Sequence, residues 1–372
     1  MVRIWNGCAG RSTGFQPVSC ATRHGLKTRA TAVTVVLCAL VAMARAETFE
    51  AEDHPLATNG AQGELAELLE QYRHPPQRFS YTMELIDEQP LHRMYKLTYP
   101  SPFESPWPEN NVVPAEFYLP RKATGKMPAI IVLDILNGAE VLPRMMSRRF
   151  ADDGIAALYI PMASYGPRRP ADLGHRRRLQ QDPTTLVEGI RQTIMDIRRA
   201  KSLLASREEI DGEHISITGV SLGGIVSALA AGVDGDFDRV ILILAGGDLH
   251  EIIFHTWETR HLREQLEATG HTRETTRDLL RPVEPLNFAS RIDAVRCLMI
   301  NAEADEVIPR STTEALRRAI GEPTLLWAPL GHYTSAIYLP NMLRKSIDFL
   351  RGEEVTTLSF TRRTVMPRAE EQ

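Results

Sequence analysis

The segment GVSLGG, Gly219 to Gly224, sets one serine among glycines, after the strand-like run HISIT and before small apolar residues at helical spacing. A tight strand-to-helix reversal of the form Gly-x-Ser-x-Gly holds its central residue in a strained conformation, and only small neighbours let the two elements pass so closely. In such a turn the Ser221 hydroxyl projects above the sheet, and the backbone N–H of Leu222 points to the same spot from a helix N-terminus. This arrangement suits a nucleophile attacking a carbonyl, with the Leu222 amide as one donor to the oxyanion that forms. An N-capping serine in a glycine-rich turn has the same local look. The chain must therefore also supply a base and an acid.

A histidine has to take the serine proton and a carboxylate has to hold that histidine in the right tautomer. Where the serine sits in a Gly-x-Ser-x-Gly turn between strand and helix, the order along the chain is Ser, Asp or Glu, then His, each in a loop after a strand. After the apolar run CLMIN comes AEADEVIP, which places Asp305 in a polar loop closed by Pro309; after TLLWAP comes LGHY, which places His332 beside a glycine. Glu303 and Glu306 compete with Asp305, which the order rule and its place in the turn favour. The other ten histidines of the eleven all lie upstream of His332, none of them at a late strand end after Ser221.

These side chains need a sheet whose strand ends lie together. PAIIVLD and IAALYIP are almost wholly apolar, as expected of strands covered on both faces, and RMYKLTY and PAEFYLP read as the first two strands. The stretch from Thr185 to Leu204 repeats Leu186, Ile190, Ile194 and Ile197 near a 3.6-residue period, with Thr185 and Glu188 at capping-box spacing. Strands ISITG, RVILILAG, CLMINAE and TLLWAPLG follow, and NMLRKSIDFLRG ends the series as a helix. The alternation predicts an α/β fold with a mostly parallel eight-stranded sheet flanked by helices. It breaks at about 248–288, a polar, helix-rich insertion at the carboxyl end of a strand, where open α/β sheets bind ligands; a cap is expected there.

With GVSLGG, NAEADEVIP and PLGHY together, residues 90–352 resemble α/β-hydrolases, and within them the dienelactone hydrolase and bacterial esterase branches. The second oxyanion donor belongs to the loop after the third strand, VLDILNGAE. The resemblance implies that Asp134-Ile135 is the acidic–apolar pair found there, with the Ile135 amide as donor; many α/β-hydrolases carry His-Gly instead, and Leu136 stays open as an alternative. Dienelactone hydrolases proper use a cysteine nucleophile, whereas position 221 is serine. The resemblance thus implies a serine esterase acting on a small-molecule or carbohydrate ester, since the branch includes enzymes that remove acetyl groups from carbohydrates. A peptidase or amidase of the same fold, and a non-catalytic binding domain on this scaffold, are the alternatives.

The remaining chain bounds these readings. Of the 372 residues 43% are hydrophobic and 24% charged, enough to bury a large core. Residues 1–46 read as an extension and signal peptide: Lys27 and Arg29, a short apolar run, then Ala44-Arg45-Ala46. The run is short for a stable span, so export to the periplasm or outside is expected, with a membrane anchor as the alternative. Residues 47–90, with GELAELLEQYRH, read as a helical lead-in, 91–352 as the main domain and 353–372 as a tail. Removing residues 1–46, with six basic and no acidic residues, takes the formal charge from −4 to about −10, which disfavours nucleic acid. Of the four cysteines only Cys297 would remain, in a buried strand. The histidines of HEIIFHTWETRH, at 250, 255 and 261, lack the i, i+4 spacing of a helical metal site, and neither metal nor cofactor is expected. Arg168, Arg169 and Arg176 to Arg178 crowd one loop near the site, as an anion clamp or a solvated basic loop.

Overall fold

A computed structural model describes residues 46–358 apart from 59, 123–124, 137–139 and 172–182. The signal segment, the end of the tail and Arg176 to Arg178 therefore lie outside the described residues. In chain order the elements are β1 (Glu47–Glu52), α1 (Gly63–Glu70), β2 (Arg78–Glu88), β3 (His92–Pro100), β4 (Val112–Pro120), β5 (Met127–Leu133), α2 (Val141–Asp152), β6 (Ala156–Ile160), α3 (Pro183–Ala205), β7 (Ile210–Val220) and α4 (Leu222–Asp234). Then come β8 (Val240–Ile243), α5 (Leu249–His255), α6 (Arg260–Ala268), α7 (Arg273–Leu280), β9 (Cys297–Ala302), α8 (Arg310–Ile320), β10 (Thr324–Ala328) and α9 (Leu339–Leu350).

The strands form one sheet in the order β1-β2-β3-β4-β6-β5-β7-β8-β9-β10. From β6 to β10 neighbours are parallel, and from β1 to β4, and between β4 and β6, they are antiparallel. The sheet has ten strands where the sequence predicts eight, because residues 47–90 are not simply a helical lead-in. They hold α1, as expected, but also β1 and β2, which extend the sheet edge. In β2, Phe79, Tyr81 and Met83 alternate inward, a period-2 pattern that the amphipathic helix beside it overshadows in the sequence.

Period-2 alternation also explains how the central strands serve two cores. In β5, Ala129, Ile131 and Leu133 join one apolar cluster with α3 and α4, while Ile130 and Val132 join the other with α2 and α9. Helix α3 starts at Pro183, a residue pre-set for a first helical turn, so Thr185 sits inside that turn and not at a cap.

Two arginines of α3 are covered by the segment that precedes the domain. Asp53 makes a two-pronged ion pair with Arg199, at 2.9 Å from Nε, and Arg198 donates to the Tyr72 carbonyl at 3.0 Å. Arg168, expected in an exposed loop or clamp, is instead fully buried: it donates to Asp196 of α3 at 2.7 Å and to the Asn110 carbonyl at 2.8 Å. Burial pushes the Asp196 carboxyl above its usual range, opposed by the Arg168 charge. Removing one partner of such a pair leaves an uncompensated buried charge. Asp196→Ala is expected to lower unfolding free energy by about 3 kcal/mol in urea titrations, far more than loss of an exposed pair.

Candidate active site

Ser221 is the residue between β7 and α4, with φ 56 and ψ −119, a positive-φ conformation that a non-glycine residue adopts only when its surroundings impose it. The closely packed backbone around it does so, and the glycines let that backbone approach. A Cβ at Gly219 would stand 2.3 Å from the Gly223 backbone, and one at Gly223 would stand 2.5 Å from the Asp134 carbonyl oxygen. The Ser221 amide is fixed to the Ile243 carbonyl at the end of β8, at 2.9 Å. Leu222 is the first residue of α4, so its N–H has no carbonyl four residues back within the helix.

The three predicted side chains meet above the carboxyl ends of the strands. His332 Nε2 lies 3.0 Å from Ser221 Oγ, and His332 Nδ1 lies 2.9 and 3.0 Å from the two Asp305 oxygens. An ionised carboxylate only accepts, so Nδ1–H donates to Asp305 and Nε2 is left to accept from the serine hydroxyl. The His332 and Asp305 side chains are nearly buried, 8% and 4% exposed, which keeps this contact from competing water. Asp305 Oδ1 also accepts from the Val307 and Ile308 amides, at 2.9 and 2.7 Å, which locks the carboxylate plane.

The competing acids fall elsewhere. Glu303 is exposed, and no bond to His332 is seen for it among the described residues. Glu306 does touch the histidine, through the backbone: its Oε2 accepts from His332 N at 2.7 Å. A Cβ at Gly331 would stand 2.4 Å from that same oxygen, so the glycine beside His332 makes room for Glu306. This anchor is not visible in the sequence, since it depends on how two loops 26 residues apart face each other.

Ile135 and Leu136 both line the cavity into which Ser221 opens, next to the fully buried Asp134, whose Oδ1 accepts from Met162 N at 3.3 Å. The cavity measures about 690 Å³. The cap forms one wall, with Trp257, Glu258, Arg260 and His261. It begins at Asp248, and Glu284 closes it on itself by accepting from the Asp248 and Leu249 amides, at 2.9 and 2.6 Å. Burial holds the Glu284 carboxyl above its ordinary range against those bonds. Tyr333, beside the histidine, donates to Glu258 at 2.7 Å and so ties the histidine loop to the cap; burial and this bond push its phenol up to about 12. His250 packs on Phe254, and His261 lies 3.0 Å from Glu264. Among the described residues no group of three or more His, Cys, Asp or Glu is arranged to hold a metal ion.

A parallel sheet with a serine turn after one strand, acid and histidine loops after two later ones and a helical cap between them is the architecture of the α/β-hydrolases, and this chain has that fold. The model of the family described as alpha/beta hydrolase domain containing 18 matches residues 108–245. Among solved structures the chain is similar to an acetyl xylan esterase from Paenibacillus sp. R4, with a TM-score of 0.60 and 21% identity, covering 78% of this chain and 92% of that one. Among curated proteins it is similar to an uncharacterized protein of Mycobacterium tuberculosis strain H37Rv, 29% identical over 147 residues, 39% of this chain. It is also similar to a probable 2-oxo-3-(5-oxofuran-2-ylidene)propanoate lactonase from Bradyrhizobium sp, 29% identical over 115 residues, 31% of this chain. The matches span 34% and 45% of those two curated relatives.

Proposed function

We propose that the chain is an exported serine hydrolase that cleaves carboxylic esters through an acyl-enzyme. The observation that carries this reading is His332 standing between Ser221 Oγ and Asp305 within hydrogen-bond reach of both. Ser221 Oγ bonds to the ester carbon while its proton passes to Nε2, and the carbonyl π pair moves onto oxygen as an oxyanion. The Leu222 and Ile135 amides receive that oxyanion, where loss of one donor typically costs about 3 kcal/mol. The oxyanion collapses, the C–O bond to the alcohol breaks, and the imidazolium returns its proton to the departing oxygen. Water then repeats both steps on the acyl-serine to release the acid.

Asp305 holds the tautomer and offsets the imidazolium charge. A binding domain without chemistry has no need of a serine in a strained turn aligned with a buried His–Asp pair. The names of the esterase and the lactonase it resembles bring the same bond type, an acyl carbon joined to oxygen. A fluorophosphonate probe is expected to label Ser221, and aryl esters to turn over faster than the matching anilides. Absence of labelling and of ester turnover would sink the reading; faster anilides would make it an amidase.

Export rests on the basic, apolar and A-x-A pattern before Glu47. Glu47 is also where β1 begins, so cleavage after Ala46 leaves the sheet whole. Protein recovered outside the cytoplasm is expected to begin at Glu47 on N-terminal sequencing. Uncleaved chain held only in membranes would favour the anchor.

A further inference from the structure

We infer that the preferred substrates carry a long apolar acyl chain, of about six carbons or more, rather than acetyl. The inference deepens the ester-hydrolase reading and rests on it. A cavity of about 690 Å³ lies in the middle of the range that buries most of a drug-sized ligand, and an acetyl group leaves nearly all of it to be filled by water.

That water would face hydrocarbon. Ile135, Leu142, Ile243, Leu244, Leu339 and Met342 line the cavity with Ser221, and apart from the weakly accepting Met342 thioether none of them offers a side-chain hydrogen bond. Leu136, Val220 and Val307 extend this apolar lining.

The direction of the reaction assigns the acyl side. The leaving oxygen must pass His332 Nε2 to receive its proton, and beside that histidine stands the polar part of the rim, Tyr333 bonded to Glu258, with Arg260 stacked 3.9 Å over Trp257. The alcohol thus leaves along the polar, open side. The carbonyl substituent is directed to the apolar wall. Each methylene moved from water into such a wall contributes roughly a fourfold gain.

The test uses the chain beginning at Glu47 and p-nitrophenyl esters from acetate to dodecanoate, with fluorophosphonate titration of active sites and a parallel series of alkyl acetates. kcat/KM is expected to climb from acetate to octanoate on the order of 100-fold or more, while alkyl acetates change little. Ala336→Phe, at an exposed cavity position, narrows the path and is expected to lower the octanoate-to-acetate ratio about tenfold. A flat or falling acyl series in a labelled enzyme overturns this inference and leaves the hydrolase reading standing. A gain confined to the alcohol series overturns the acyl assignment. Absence of labelling and of all turnover overturns both.

Discussion

Alanine at Ser221 is expected to abolish fluorophosphonate labelling and lower kcat for an octanoate ester by about 10³-fold or more, with an unchanged unfolding midpoint. The substitution removes one hydroxyl whose partner is His332, and leaves the turn to the closely packed backbone that imposes it. Gly219, Gly223 and the Asp134 carbonyl still fix the backbone, so the Leu222 amide stays where it was. The residual rate reports what the oxyanion donors and the cavity do without a nucleophile. Near wild-type turnover with a silent probe would require a different nucleophile and end the mechanism.

Asp305→Asn is expected to cost about 10⁴-fold in kcat, and the geometry explains why the near-isosteric change is so damaging. Oδ1 accepts from two backbone amides, Val307 and Ile308, so the oxygen of an asparagine stays on that side. Its NH₂ then occupies the Oδ2 position, 2.9 Å from His332 Nδ1, where it can only donate. Facing that NH₂ and, at 3.0 Å, an oxygen already bonded to two amides, Nδ1 is favoured to accept, which puts the proton on Nε2, so that the base that should take the serine proton already carries one. Glu303→Gln should be near neutral. Glu306→Gln keeps an acceptor for the His332 amide and should be mild, whereas Glu306→Ala frees that amide and should cost roughly tenfold through misplacement of the ring. Equal damage from Glu303→Gln and Asp305→Asn would show that the wrong carboxylate has been chosen as the acid.

The legible parts of the site are those determined by local chain chemistry. Three glycines within six residues permit the Ser221 turn, and loops after apolar strands put Asp305 and His332 at the same sheet edge. What is not legible depends on partners far along the chain. Arg168 looks solvated among arginines, but Asp196, 28 residues on, and the Asn110 carbonyl bury it. Arg198 and Arg199 break the apolar period of α3 and suggest a wet face, yet Asp53 and the Tyr72 carbonyl arrive from the lead-in to cover them. β1 carries three glutamates in six residues and only one apolar pair at strand spacing, Phe49 and Ala51, so its strand character comes mainly from pairing with β2.

Those same glutamates bear on how the molecule behaves among its copies. Among the described residues the ten-stranded sheet ends in two edge strands with a partner on one side only, each a template on which another chain can add a strand. Along β1, Glu50 and Glu52 stand on one face of the sheet and Glu47 on the other, and a second molecule docking the same strand there would bring carboxylates near carboxylates. Ser80 and Arg78 of β2 bond to Glu50 and Glu52 from the side already paired. The free edge thus repels its own likeness. Neutralising the three glutamates together should leave ester turnover unchanged and raise aggregation on standing relative to the parent chain, a change that light scattering would register.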